Sequence, residues 1–234
     1  MAIHGSGTLD NNAGLLSGAL FTLALAMLTG GCDVALEDEA NPELGSVQAA
    51  MGITELSAQI EDLSVRTQEL EDREAIRSAV ACYGRGHDEI FRHLQGDQSP
   101  SLAILSECFT ADVTSDVYFF NSPTPTTQLT TLAQLVGFIE QFAIDNSYTG
   151  ARNIVGDVGI EFTGPDTARV LSATSTPHFI APANAPQNEP TVDVVSARYI
   201  DEMVRGSDGV WRSRHKTLIL DEFWRGTGFY PFAP

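Results

Sequence analysis

The stretch LEDREAIRSAVACYGRGHD, residues 70–88, decides how the rest of the chain is read. Ile76, Val80, Tyr83 and His87 recur at i, i+4, i+7 and i+11, which places them on one face of a helix. Gly84 and Gly86 each weaken a helix by about 1 kcal/mol relative to alanine, so the helix is expected to run out near them. His87 and Asp88 then sit at its end, one turn after Tyr83. Two readings are open. The pair is a piece of active site, or it is an ordinary helix end where His87 meets the dipole and Asp88 pairs with Arg85.

Towards the N-terminus the helical pattern extends back to Ile53. Ile53, Ile60 and Thr67 repeat every seven residues, as do Leu56, Leu63 and Leu70. Such a run supports an amphipathic helix leaning on its own domain or a short seam between subunits. Residues 33–52, DVALEDEANPELGSVQAAMG, are acidic, contain Pro and Gly, and read as a flexible tether. Before them, AGLLSGALFTLALAMLTGGC is an apolar run that ends in small residues and a cysteine, as an export signal does. The stretch Leu28-Thr29-Gly30-Gly31-Cys32 resembles a bacterial lipoprotein lipobox, which implies cleavage and lipidation at Cys32. The alternative is a retained apolar anchor. Either one places the remainder outside the cytoplasm, in the cell envelope, with membrane contact only through the N-terminus.

The 234 residues hold 31 acidic and 13 basic side chains, a net charge of −18, and Lys216 is the single lysine. Nucleic-acid binding needs clustered positive charge against phosphates, so that function class is set aside. Cys82 and Cys108 remain once Cys32 is assigned to the signal. In an oxidising compartment they are a disulfide candidate, or else two buried thiols. No Cys-x-x-Cys or helical metal-ligand spacing occurs, so no metal is expected, and no phosphate-binding glycine loop points to a cofactor.

Towards the C-terminus, Pro100–Cys108 and Thr131–Asn146 read as helices, the second with Leu132, Leu135, Ile139 and Phe142 on one face. DVTSDVYFF reads as a strand. Four more strands are expected over 152–163, 168–180, 191–205 and 210–221. GPD and GSDG supply hairpin turns, and a proline-rich loop, APANAPQNEP, joins the middle pair. Helices first and hairpin-linked strands after is an α+β order.

This order, together with several motifs, resembles the SnoaL-like branch of the NTF2-like superfamily. The motifs are the L-E-D-R-x-A-I-R start at Leu70–Arg77, then Tyr83, Arg85 and Asp88 at the helix end. Phe109-Thr110 and Asp112 follow, and the late R-Y-x-D…G-x-W-R is met by Arg198, Tyr199, Asp201, Gly209, Trp211 and Arg212. The resemblance covers about residues 70–224. It implies an NTF2-like cone, three helices packed in a curved, mostly antiparallel sheet, preceded here by the signal (1–32), the tether (33–52) and an extended first helix within domain 53–234. It also implies a pocket at the open mouth and a homodimer through the sheet. The connection between Asp88 and Phe109 is twice the usual length, and reads as a lid or as a tolerated surface insertion.

Mapped onto scytalone dehydratases of this superfamily, pocket positions fall on Tyr83, His87, Asp88, Val117, Asn153, His178, Ser196 and Arg198; Asp116 is a further pocket candidate, with a bridge to Arg198 on a neighbouring strand as its alternative. Val117 and Asn153 stand where that chemistry uses a tyrosine and a histidine, so the dehydratase reaction itself is not expected. The residues leave two function classes. One is a non-catalytic module that binds a small apolar molecule, lined by Tyr83, Asp116, Val117, Asn153, Ser196 and Arg198. The other is a cofactor-independent lyase or isomerase in which His87, Asp88 and His178 form a general-base set, Asp88 fixing a tautomer and Asn153 polarising a carbonyl.

Overall fold

The computed structural model describes residues 42–185 and 189–227, with side chains from residue 52 onwards. The signal segment and Cys32 lie outside these residues. The chain divides into two compact units, 1–58 and 59–234. The described part of the first is helical. It is the beginning of α1, Pro42–Arg92, so helix already occupies the end of the stretch read as tether.

α1 does not stop at its glycines. A Cβ on Gly86 would lie 2.3 Å from Leu105 Cδ2, and one on Gly84 would lie 3.4 Å from the Asn153 carbonyl oxygen. The two glycines are thus sites of close approach inside a continuing helix. The apolar face through Ile76, Val80, Tyr83, Ile90 and Phe91 is buried, and that packing outweighs the helix-propensity cost. The long connection that follows supplies the last turn of α1 and then α2, Ser99–Cys108, with Pro100 in its first turn. α2 buries Ser101, Leu105 and Cys108 against α1, and Cys82 and Cys108 are disulfide-bonded. The insertion is therefore a buttress stapled to the first helix.

β1 (Phe109–Phe119) leads to the short β2 (Thr127–Leu129) and to α3, Leu132–Asp145. The Thr131 hydroxyl caps α3 by accepting the Gln134 N–H. β3 (Gly150–Ala151), β4 (Ile154–Gly164), β5 (Thr167–Ile180), β6 (Thr191–Arg205) and β7 (Trp211–Thr227) complete the sheet. Its order is β2-β1-β7-β6-β5-β3, with β4 also on β5; β1–β7 is parallel and the other pairs are antiparallel. Gly209, at φ 77°, provides the left-handed residue of the β6–β7 turn.

The result is α+β: three helices against a curved, open, mostly antiparallel sheet, as expected, with β1–β7 as its parallel pair. β5 buries its even-numbered residues and β6 its odd-numbered ones. β6 and β7 lose register between Ser196 and Ala197, where Asp221 becomes an extra residue on β7. The main core lies between the helices and the inward face. A second cluster of Ile76, Val80, Val170, Met203 and Trp211 holds α1 to the strand ends. Asp72 secures the same place: it accepts the Trp211 indole N–H at 3.0 Å and pairs with Arg205.

Candidate functional site

Periodicity brings the site together from six elements. α1 presents Tyr83 and, one turn later, His87. β5 presents His178 and Thr176 at alternate positions, and β6 does the same with Val195, Ala197 and Tyr199. Val117 of β1, Leu218 and Leu220 of β7, and Phe138, Ile139 and Phe142 of α3 close an apolar wall. The space open to a water-sized molecule is about 40 Å³. That is far below the several hundred Å³ of pockets for drug-sized ligands.

His87 and His178 are both buried, with ring centroids 6.1 Å apart and Phe91 beside each. The Nδ1 atom of each is buried and has no hydrogen-bond partner. His178 also stacks on Tyr148, with centroids 4.6 Å apart. Burial, helped by the nearby His87, pushes the His178 pKa down to about 3. The Asp193 charge and backbone groups of Thr176 and Asp193 oppose this without cancelling it. His178 is thus a neutral imidazole at neutral pH.

Asp88 does not form a hydrogen bond with His87; its Oδ1 is 3.7 Å from Nδ1. Its carboxylate instead accepts the Asn153 backbone N–H at 2.6 Å and lies 3.4 Å from Arg152. Asp88 fastens the β3–β4 corner to the helix, and fixes no histidine tautomer. Asn153 is buried and donates from Nδ2 to the Tyr199 hydroxyl at 3.1 Å, while its Oδ1 accepts from Thr174. Tyr83 meets Tyr199 edge to face at 5.2 Å. Burial raises the pKa values of both phenols above the usual tyrosine range, so both keep their protons.

Three expected pocket residues lie elsewhere. Ser196 and Arg198 share the opposite phase of β6 from Tyr199 and so face outward. Arg198 grips the extra residue Asp221 with two bonds of 2.7 and 2.8 Å, rather than bridging to Asp116. Asp116 also faces away from the pocket, where it accepts from Gln128 and lies 3.7 Å from His215. Val117, its neighbour, is fully buried in the pocket wall.

The structure gives roles to groups that were not among the expected site residues. Beneath the two tyrosines, Lys216 Nζ sits 4.2 Å from the Tyr83 ring centroid and 4.3 Å from that of Tyr199, and is ion-paired with Asp201 at 2.9 Å. Ser213 donates to the same carboxylate at 2.7 Å. Burial lowers the Lys216 pKa, and Asp201 holds it up in part. Behind His178, Asp193 is fully buried, accepts the Tyr148 hydroxyl at 3.0 Å and takes two Arg225 bonds of 2.6 Å. Strand alternation was the available signal. Counting back from His178 gives Thr176 and Thr174, and counting along β6 gives Val195, Ala197, Tyr199 and Asp201.

The SnoaL-like domain model matches residues 68–217, more than half of the chain. The chain belongs to the SnoaL-like family. This SnoaL-like domain is similar in fold to the LinA-type3 hexachlorocyclohexane dehydrochlorinase from Novosphingobium barchaimii LL02. That structure is 14% identical with a TM-score of 0.52, covering 71% of this chain and 97% of the other. A LinA Type2 hexachlorocyclohexane dehydrochlorinase gives 16% identity, 71% and 95% coverage, and a TM-score of 0.50. The Kfla4162 protein from Kribbella flavida gives 17%, 67% and 95%, and 0.50. At these identities the likeness is one of fold. No curated protein sequence matches the chain. Among the described residues no group of three or more His, Cys, Asp or Glu is arranged to hold a metal ion, and no helix is long and apolar enough to cross a membrane.

Proposed function

We propose that the SnoaL-like domain is a lyase or isomerase that abstracts a proton from a small apolar substrate, with the buried His87–His178 pair supplying the acid–base group. The observation behind this reading is the pair of buried histidines, each with an unpartnered Nδ1, lining one apolar pocket. His87 accepts the substrate's carbon-bound proton at Nδ1 beside the neutral His178, and the electron pair moves into a new double bond. In an isomerisation the proton returns at another carbon. In an elimination the leaving group departs with its own electron pair. The phenols of Tyr83 and Tyr199 line the same pocket and keep their protons. The apolar wall keeps water from the base.

A second reading, binding without turnover, draws support from the small apolar cavity and from Val117 and Asn153, which supply no base. For either function we place the domain in the cell envelope on a lipidated Cys32. The lipobox-like sequence and the Cys82–Cys108 bond, which an oxidising compartment favours, support that placement.

The test is turnover of a panel of small carbonyl compounds and of small substrates with a β-leaving group. His178→Phe and His87→Phe are expected to abolish activity, while Asp116→Asn, on the far face, leaves it intact. Saturable binding of panel members with no turnover by the unsubstituted protein would replace the enzyme reading with the binding one.

A further inference from the structure

Residues 52–71 of α1 are exposed throughout, and the large aliphatics Ile53, Leu56, Ile60, Leu63 and Leu70 are 53–69% exposed. Most helical stability in proteins comes from packing an apolar face, and among the described residues this face is left exposed. The groove between α1 and the β4–β5 hairpin is lined on the helix side by Ser64, Val65, Gln68, Glu69 and Asp72. None of the seam residues is among them.

We propose that this seam zips against the same seam of a second copy, forming a parallel two-stranded coiled coil over Ile53–Leu70. With Ile53 at position a, Ile60 and Thr67 are also a, and Leu56, Leu63 and Leu70 are d. β-branched residues at a with leucine at d select parallel dimers. Charge is arranged to match. A chain of net charge −18 resists self-association, yet Glu55, Glu61, Asp62 and Glu69 all fall at b or c, away from the seam. Beside it, g holds Gln59 and Arg66, and e holds Ser57, Ser64 and Glu71. In a parallel pair g faces the partner's e five residues on, which sets Arg66 against the partner's Glu71 twice. In the single chain Arg66 lies 3.9 Å from Asp62, and both side chains are largely exposed. The seam is short, but the folded domain holds the C-terminal half of the same helix, so nucleation is already accomplished.

The experiment uses the full chain carrying Cys32→Ser. Sedimentation is expected to show a species of twice the 25.2 kDa chain mass, and Leu56→Asp/Leu63→Asp to return it to the single-chain mass with the sheet domain still folded, since both side chains are exposed in the single chain. Leu63→Cys, at d, cross-links between copies on oxidation, whereas Val65→Cys, at f, does not. Leu171→Arg, an exposed site on the outer sheet face, leaves the dimer intact. A single-chain mass at every concentration overturns the proposal. So does a dimer that survives the double aspartate variant and dissociates with Leu171→Arg, which assigns association to the sheet. His178→Phe does not change association, so the outcome is independent of the pocket reading.

Discussion

Acid should expose the burial of His178 directly. Its pKa is about 3 in the folded protein against an ordinary 6.5. Between those values the unfolded chain takes up a proton that the folded pocket refuses, so stability falls as pH falls, and above 6.5 the difference vanishes. Each pH unit within the window costs about 1.4 kcal/mol. At pH 4.5, two units below 6.5, the accumulated loss is about 2.7 kcal/mol. For a domain of this size that lowers the melting temperature by about 5–11 °C. Acid denaturation sums over many groups, so the comparison must be internal. His178→Phe keeps a ring between Phe91 and Tyr148 and removes the titrating group. Its loss of stability between pH 7 and 4.5, measured by calorimetry or urea unfolding, should be smaller than that of the unsubstituted protein by about 2.7 kcal/mol. Equal losses would mean that His178 accepts its proton within the fold, and the account of a pocket that keeps this imidazole uncharged would fail.

The buried ion pair makes an asymmetric prediction: Lys216→Met leaves Asp201 with the Ser213 hydroxyl as its remaining side-chain donor and should cost about 3–5 kcal/mol in urea unfolding. Lys216→Met/Asp201→Leu should recover most of that loss, and a double variant as unstable as the single one would contradict the account. Gly86→Ala should destabilise by about 1–3 kcal/mol despite its better helix propensity, because the new methyl meets the buried Leu105; a more stable variant would show that α2 yields. Asp72→Ala should cost about 2–3 kcal/mol by stranding the Trp211 N–H and Arg205, with Asp72→Asn keeping part of it, as followed by tryptophan fluorescence.

How much was legible follows from how local each signal is. β6 runs over Thr191–Arg205 as its alternation indicates, and α3 is the expected helix with Thr131 as its cap. α1 passed its expected end because propensity at Gly84 and Gly86 is a local quantity, whereas their use is to admit Leu105 and Asn153 from distant parts of the chain. The same locality misplaced Arg198. Its neighbours Ala197 and Tyr199 line the pocket, but strand phase and the extra residue Asp221 turn Arg198 outward to a partner that no spacing rule names.

What the sequence determined by itself is the α+β order, the SnoaL-like motifs and the residue types present at the helix end: periodicity and turn chemistry act over a few residues and can be read there. The answer to the His87–Asp88 question came only with tertiary structure. Packing set His87 beside His178, drew Asp88 away to the Asn153 backbone, and buried Lys216 under Tyr83 and Tyr199. Protonation state followed, because the cost of a charge depends on what surrounds it in space, and those surroundings come from strands nearly a hundred residues away.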